Sequence, residues 1–179
     1  MRLAVVRFRL RRTVILVLLV GLGAVAFAGC ANLRGGQTVD AATARIEVLA
    51  GVASAEVSQV SSLNGFTRNR STFVEVTLER GYHIEDSEAA LEWVVRTAWS
   101  VNGQKPTSGL WVGFVDASGE AVDWDWVSAV KALGYESPFV FDFIELTGNL
   151  SFDPADIGDS LGSWPGEVPQ LADGVILAD

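Results

Sequence analysis

The sequence predicts an α+β domain in which helices pack on one face of an antiparallel sheet, following an N-terminal signal helix. Three observations carry this expectation. Segments around 53–58, 74–79 and 139–146 alternate apolar and polar residues, so each offers one wet and one dry face, as strands of a one-side-covered antiparallel sheet do. Segments with apolar residues at helical spacing lie between and around them. The chain has no Gly-x-Gly-x-x-Gly and no other crossover signature of a parallel, doubly wound sheet.

The N-terminal element is read from charge and hydropathy. Residues 1–13 carry Arg2, Arg7, Arg9, Arg11 and Arg12 and no acid, and residues 14–28 are an apolar run ending in small residues before Cys30. This is the layout of a secretory signal, and the run is shorter than the ~17–25 residues of a membrane span. Cys30 is the only cysteine, so it is a free thiol, an intermolecular link or a modified residue. Phe27-Ala28-Gly29-Cys30 resembles the lipobox of bacterial lipoproteins, with Phe27 where that family most often has Leu. The resemblance implies cleavage between Gly29 and Cys30, a diacylglycerol on the Cys30 thiol, and attachment at the extracytoplasmic face of the cell membrane. Two acyl chains anchor stably, at about 0.8 kcal/mol per buried methylene. The excess of 11 Arg over 2 Lys fits a GC-rich genome such as an actinobacterial one. Arg11-Arg12 raises twin-arginine export, but Leu10 before the pair favours the ordinary Sec route. Residues 30–38, with Gly35-Gly36, read as the lipidated terminus and a flexible tether.

Val39, Ala42, Ile46 and Leu49 share a helical face, with Thr38 or Asp40 as cap and Gly51 after the end, which predicts a helix over 40–50. Two strands follow, Ala53/Ala55/Val57 and Val74/Val76/Leu78, joined by a polar connection over 61–71. Asp86 or Ser87 caps a second helix to about Ser100, with Leu91, Val94, Ala98 and Val101 inward and a Glu92/Arg96 pair outward. A strand over 110–115 ends in the turn Asp116-Ala117-Ser118-Gly119. Asp123 caps a shorter helix on which Trp126, Val130 and Leu133 share a face, Lys131 lies in the last turn and Gly134 stops it. Phe139, Phe141 and Phe143 line one side of a further strand. The expected division is a signal peptide (1–29), the tether (30–38), the α+β domain (39–147) and a Gly/Pro/Asp-rich extension (148–179). Leu49-Ala50-Gly51-Val52 leading into a strand, with a strand and helix after it, is similar over residues 40–116 to ferredoxin-like modules, including heavy-metal-binding ones. Those metal modules carry a Cys-x-x-Cys that is missing here, so metal transport does not follow from the likeness.

Apolar residues make up 49% of the chain, with six tryptophans, enough for a core without disulfides. Removing the five N-terminal arginines takes the net charge from -9 to 8 minus 22, or -14. That balance argues against nucleic acid, which needs a basic surface, and against electrostatic docking on anionic lipid. His83 lacks the partners of a triad or zinc site and reads as a loop histidine bonded to nearby backbone. Asp123 and Asp125 with Glu145, or Asp153, Asp156 and Asp159, offer carboxylates for a cation or for acid–base chemistry, with helix capping as the plainer role of Asp123. Trp93, Trp99, Trp111 and Trp124 form a ligand or partner platform if exposed, and core if the helices and the C-terminal segment bury them. The expected function is a lipid-anchored, non-catalytic binding or interaction domain at the cell envelope, without cofactor or metal, meeting an envelope protein or wall component. The alternatives are an envelope hydrolase using paired carboxylates and a ligand receptor using exposed tryptophans.

Overall fold

A computed structural model of the chain describes residues 35–135 and 149–179; the signal segment, Cys30, and the strand expected over 139–146 with Glu145 lie outside the described residues. The chain divides into Met1–Arg34 and Gly35–Asp179, of which only the second is described below.

Thr38 Oγ1 accepts from the Ala41 N–H at 3.2 Å and opens helix α1 (Val39–Glu47), whose Ala42 and Ile46 face inward. Gly51, at φ +81°, turns the chain into β1 (Val52–Asn64), which pairs antiparallel with β2 (Thr67–Leu78). The two strands continue through the expected polar connection of 61–71. Their two-residue loop, Gly65-Phe66, places Gly65 at φ +61°, the backbone that a Gly-first hairpin turn requires. A short strand β3 (Tyr82–Ile84) follows, then α2 (Ser87–Ser100), capped by Asp86 through the Ala89 N–H at 3.0 Å. The expected Glu92–Arg96 pair forms on its outer face, at 2.8 Å.

The strand after α2, β4 (Gly109–Val115), runs parallel to β2. The four-stranded sheet is therefore mixed, in the order β1-β2-β4-β5, and the β2-to-β4 connection through α2 is a crossover, so the all-antiparallel part of the expectation is corrected. Alternation alone does not encode strand direction, and β2, placed against β1 on one side and β4 on the other, keeps a half-wet outer face although one of its pairings is parallel. Helix α3 (Trp126–Ala132) starts two residues later than expected: Asp125, not Asp123, is its cap and accepts from the Ser128 N–H at 3.1 Å. Strand β5 (Asn149–Phe152) completes the sheet against β4, α4 (Pro154–Leu161) is capped by Asp153, and β6 (Ile176–Ala178) pairs with β3. The expected extension thus supplies a sheet strand and a helix to the domain.

The fold is α+β, with the described helices contributing to one core together with the inward residues of the sheet. Val57, Val74, Val76, Leu78, Leu110, Val112, Phe114, Leu150 and Phe152 alternate inward and meet α2 through Leu91, Val94 and Ala98. Gln59 ties this core to the loop after α2. Its Nε2 donates to Thr72 Oγ1 (3.0 Å), Val101 O (3.3 Å) and Gln104 O (2.8 Å), and its Oε1 accepts from the Gln104 N–H (2.9 Å). Replacing Gln59 by Leu removes all four bonds and takes the donor from the buried Thr72 hydroxyl, so we expect a loss of about 1–2 kcal/mol in urea denaturation. A stability unchanged within error would show the network to be energetically idle.

Candidate functional site

The structure separates the four tryptophans, Trp93, Trp99, Trp111 and Trp124, that would form a platform if exposed together. Trp93 and Trp99 are core residues, 5% and 3% exposed, because α2 is covered on two sides: by the sheet, and by α3 with the C-terminal segment. Trp93 lies against Phe114 at 6.5 Å between ring centroids, and Trp124 meets the same Phe114 edge-on at 5.3 Å, so these two belong to one aromatic cluster inside the domain. Trp111 stands on the other face of the sheet, half-buried and stacked on Phe73 at 5.7 Å with their planes 12° apart. Glu56, Ser58, Glu75 and Asn149 surround that pair in a shallow cleft of about 130 Å³. Glu56 and Glu75 are direct cross-strand partners there, and Glu75 accepts from Asn149 Nδ2 at 3.4 Å.

Trp99, although buried, exposes its remaining edge to the larger cavity, of about 670 Å³. Two elements distant in sequence build it. The C-terminal half of α2 supplies Arg96 and Trp99, while Leu161 and residues 163–170, which leave α4, supply the opposite wall with Pro165, Val168 and Pro169. The wall is held to the helix by the Trp99 Nε1–H, which donates to Gly162 O at 3.2 Å, and by the Gly166 N–H, which donates to Trp99 O at 3.4 Å. Gly166 permits this approach, since a Cβ there would lie 2.9 Å from Trp99 Cδ1. Arg96 is tied to Glu92 through Nε, and Glu167 lines the same cavity, so a hollow of mixed polar and apolar lining carries one guanidinium and one carboxylate. Trp164 Nε1, in the same segment, is a buried donor without an acceptor among the described residues. Lys105 Nζ sits 5.8 Å above the Trp99 ring. Sequence reasoning singled out Trp99 but had no local signal for this cavity, because its second wall comes from more than 60 residues away.

Among the carboxylates offered for acid–base chemistry, Asp125 and Asp153 are helix caps. The Asp125 carboxylate accepts from Ser128, which holds its pKa below the usual aspartate range, and Asp153 caps α4. A general acid near neutral pH needs the opposite shift. Asp123 is exposed, Asp125 lines a separate open hollow of about 530 Å³ with Glu85, Asp86 and Glu88, and Asp156 lies in the first turn of α4. Among the described residues no three of His, Cys, Asp and Glu converge to hold a metal ion. Asp116, in the turn after β4, accepts from the Ser118 hydroxyl and amide and the Glu120 amide, and these bonds lower its pKa.

His83 belongs to a strand rather than a loop, and its partners are carboxylates rather than backbone. Nδ1 lies 2.9 Å from Asp179 Oδ1, across the β3–β6 pair, and Nε2 lies 3.3 Å from Glu85 Oε2. Hydrogen bonds first to Asp179 and then to Glu85 raise its pKa above 6.5. The folded pKa exceeds the unfolded one, so the stabilisation is fully present below about pH 6.5 and is lost as pH rises through the folded value. An NMR titration of the imidazole should show a raised midpoint that falls in Asp179→Asn. A midpoint indifferent to that substitution would remove the assigned cause.

No family model, no curated protein and no solved structure matches this chain, so the functional reading rests on its own residues and geometry.

Proposed function

We propose that the chain is a lipid-anchored protein of the extracytoplasmic face of a bacterial cell membrane, whose folded domain is a non-catalytic binding module using the cavity against Trp99. The cavity carries the binding part of this reading. About 670 Å³ falls within the roughly 300–1,000 Å³ of small-molecule sites, and the lining mixes the apolar surfaces of Trp99, Leu161 and Val168 with polar groups, among which Arg96 and Glu167 are the charged ones that fix orientation. A small wall-derived peptide or saccharide with an acceptor for Arg96 suits it. The stacked Phe73–Trp111 cleft is a smaller secondary surface for the same kind of contact. The anchoring part is supported by residues 1–30, through the cationic segment, the short apolar run and the lipobox-like Phe27-Ala28-Gly29-Cys30.

Two measurements test the two parts. Protein isolated from a bacterial membrane should begin at Cys30 and carry a diacylglycerol, and Cys30→Ser should incorporate no labelled fatty acid. An unmodified wild-type chain, or lipid on the Ser variant, sinks the anchor. Titration with wall peptides and saccharides should give a saturable change in tryptophan emission that disappears in Val168→Trp, which fills the cavity. The absence of any change in the parent protein counts against the binding site.

A further inference from the structure

The β1–β2 hairpin extends beyond the sheet it belongs to. β4 pairs with β2 only from Ser71 onward, and Thr107 and Ser108 just before it still bond the Arg70 backbone, so beyond Ser61/Arg70 the hairpin runs on as a two-stranded arm that Thr107 Oγ1 touches at Arg68 O (3.5 Å). At about 3.4 Å per residue, the three residue pairs beyond Ser61/Arg70, from Ser62/Asn69 to Asn64/Thr67, carry the turn roughly 10 Å past the sheet. Three of the five large apolar side chains that the described domain exposes lie on this hairpin, the other two being Val48 and Leu177. Phe66 is fully exposed, and Leu63 and Val60 are 70% and 51% exposed. Phe66 occupies a hairpin turn, a position that normally favours polar residues, and no described residue covers it.

The charge of the arm differs from that of the rest. From Val57 to Val74 the chain holds Arg68 and Arg70 and no Asp or Glu, although acids outnumber bases 22 to 13 over the whole chain. Neither arginine has an ion-pair partner among the described residues. The acidic average that argues against anionic lipid therefore does not describe this part of the surface. An apolar tip backed by cations is the pattern that enters a bilayer interface, the apolar groups reaching the acyl boundary and the guanidinium groups staying at headgroup level.

We infer that the tip of the β1–β2 hairpin, through Phe66, Leu63, Arg68 and Arg70, docks on an anionic lipid surface. Charge complementarity selects this occupant. The arm is then a second contact with the bilayer, independent of any lipid on Cys30, and it orients the domain instead of merely tethering it.

The test places a reporter at the tip of the full chain. Phe66→Trp protein is reconstituted into phosphatidylcholine vesicles, with or without phosphatidylglycerol, and read as the difference from the unsubstituted chain so that the six native tryptophans cancel. On phosphatidylglycerol vesicles the introduced indole should shift to the blue and be quenched by brominated acyl chains. Two interfacial arginines favour anionic over neutral lipid by roughly tenfold or more, so quenching should be much weaker on phosphatidylcholine alone. Arg68→Gln with Arg70→Gln, both on the arm and outside the core, should abolish that difference. An indole that stays wet on anionic vesicles overturns the inference and leaves the arm to a protein partner. Equal quenching with and without phosphatidylglycerol overturns it as well.

Discussion

Phe114→Ala should cost the protein about 3–5 kcal/mol, the range for emptying a fully buried phenylalanine site. Phe114 is 1% exposed on the inward face of β4, beside Val76 of β2, and its ring is met by Trp93 of α2 and edge-on by Trp124 before α3. Removing it takes one partner from both aromatic pairs, each worth about 0.5–1.5 kcal/mol beyond area, and leaves a void that two rigid indoles are too bulky to close. In urea denaturation the midpoint should fall with an unchanged slope, and the melting temperature should drop by roughly 10 °C. Phe114→Leu, which keeps most of the volume, should lose only about 1–2 kcal/mol. Equal losses in the two variants would mean that the site collapses freely around either side chain, and that Phe114 does not organise the contact between sheet and helices.

The parts of this fold that were legible in the sequence are those fixed by short-range chemistry. Helix α2 was readable because its cap, Asp86, and its outer pair, Glu92–Arg96, act within four residues. The same holds for the Asp116 turn and for Gly134, at φ +66°, closing α3. The hairpin's outer half reads as a polar connection because residues 61–70 lie beyond the core, so neither face of the strands carries an apolar alternation. Its one local signal was Gly65 at the turn. The composition of the C-terminal segment marks an extension, yet Asn149-Leu150-Ser151-Phe152 alternates and Asp153-Pro154 is a capped helix start with proline in its first turn.

Pairing direction and burial of the tryptophans were not legible, because both depend on what arrives from elsewhere in the chain. A single inward stripe on α2 is the right expectation for a helix touching one surface. Trp93 and Trp99 fall outside that stripe and are buried because a second surface, made from 126–132 and from the segment after α4, covers the helix as well. The candidate cavity follows the same logic, since it forms only when 163–170 folds back over Trp99. Its walls are individually unremarkable in sequence and become a site through their juxtaposition.

Gly36→Ala should be the most damaging small substitution at the domain's entrance, costing about 3 kcal/mol. Gly36 has φ +65°, and a Cβ there would run into the Ser100 carbonyl oxygen and lie 2.8 Å from Pro165 Cβ. The reason for this crowding is visible in the neighbouring contacts. Asn102 Nδ2 donates to Gly35 O at 2.9 Å, and the Gln37 N–H donates to Ser100 O at 2.8 Å while its side chain bonds Ser100 Oγ, so residues 35–37 are laced to the end of α2. The expected tether therefore loses its last residues to the domain. A left-handed backbone costs alanine roughly 1–2 kcal/mol and forced overpacking about 1–3 kcal/mol more, because two of the obstructing groups are backbone and a proline ring. Gly119→Ala separates the two contributions: Gly119 also has positive φ, at +84°, but open space surrounds its Cβ position, so only the backbone penalty of about 1 kcal/mol should appear. Gly36→Ala should also disturb the cavity, since Pro165 belongs to its wall, and ligand-induced tryptophan emission should weaken with it. If the two alanine variants are equally stable, the entrance is not pinned as the geometry indicates, and the tether must be counted through residue 37.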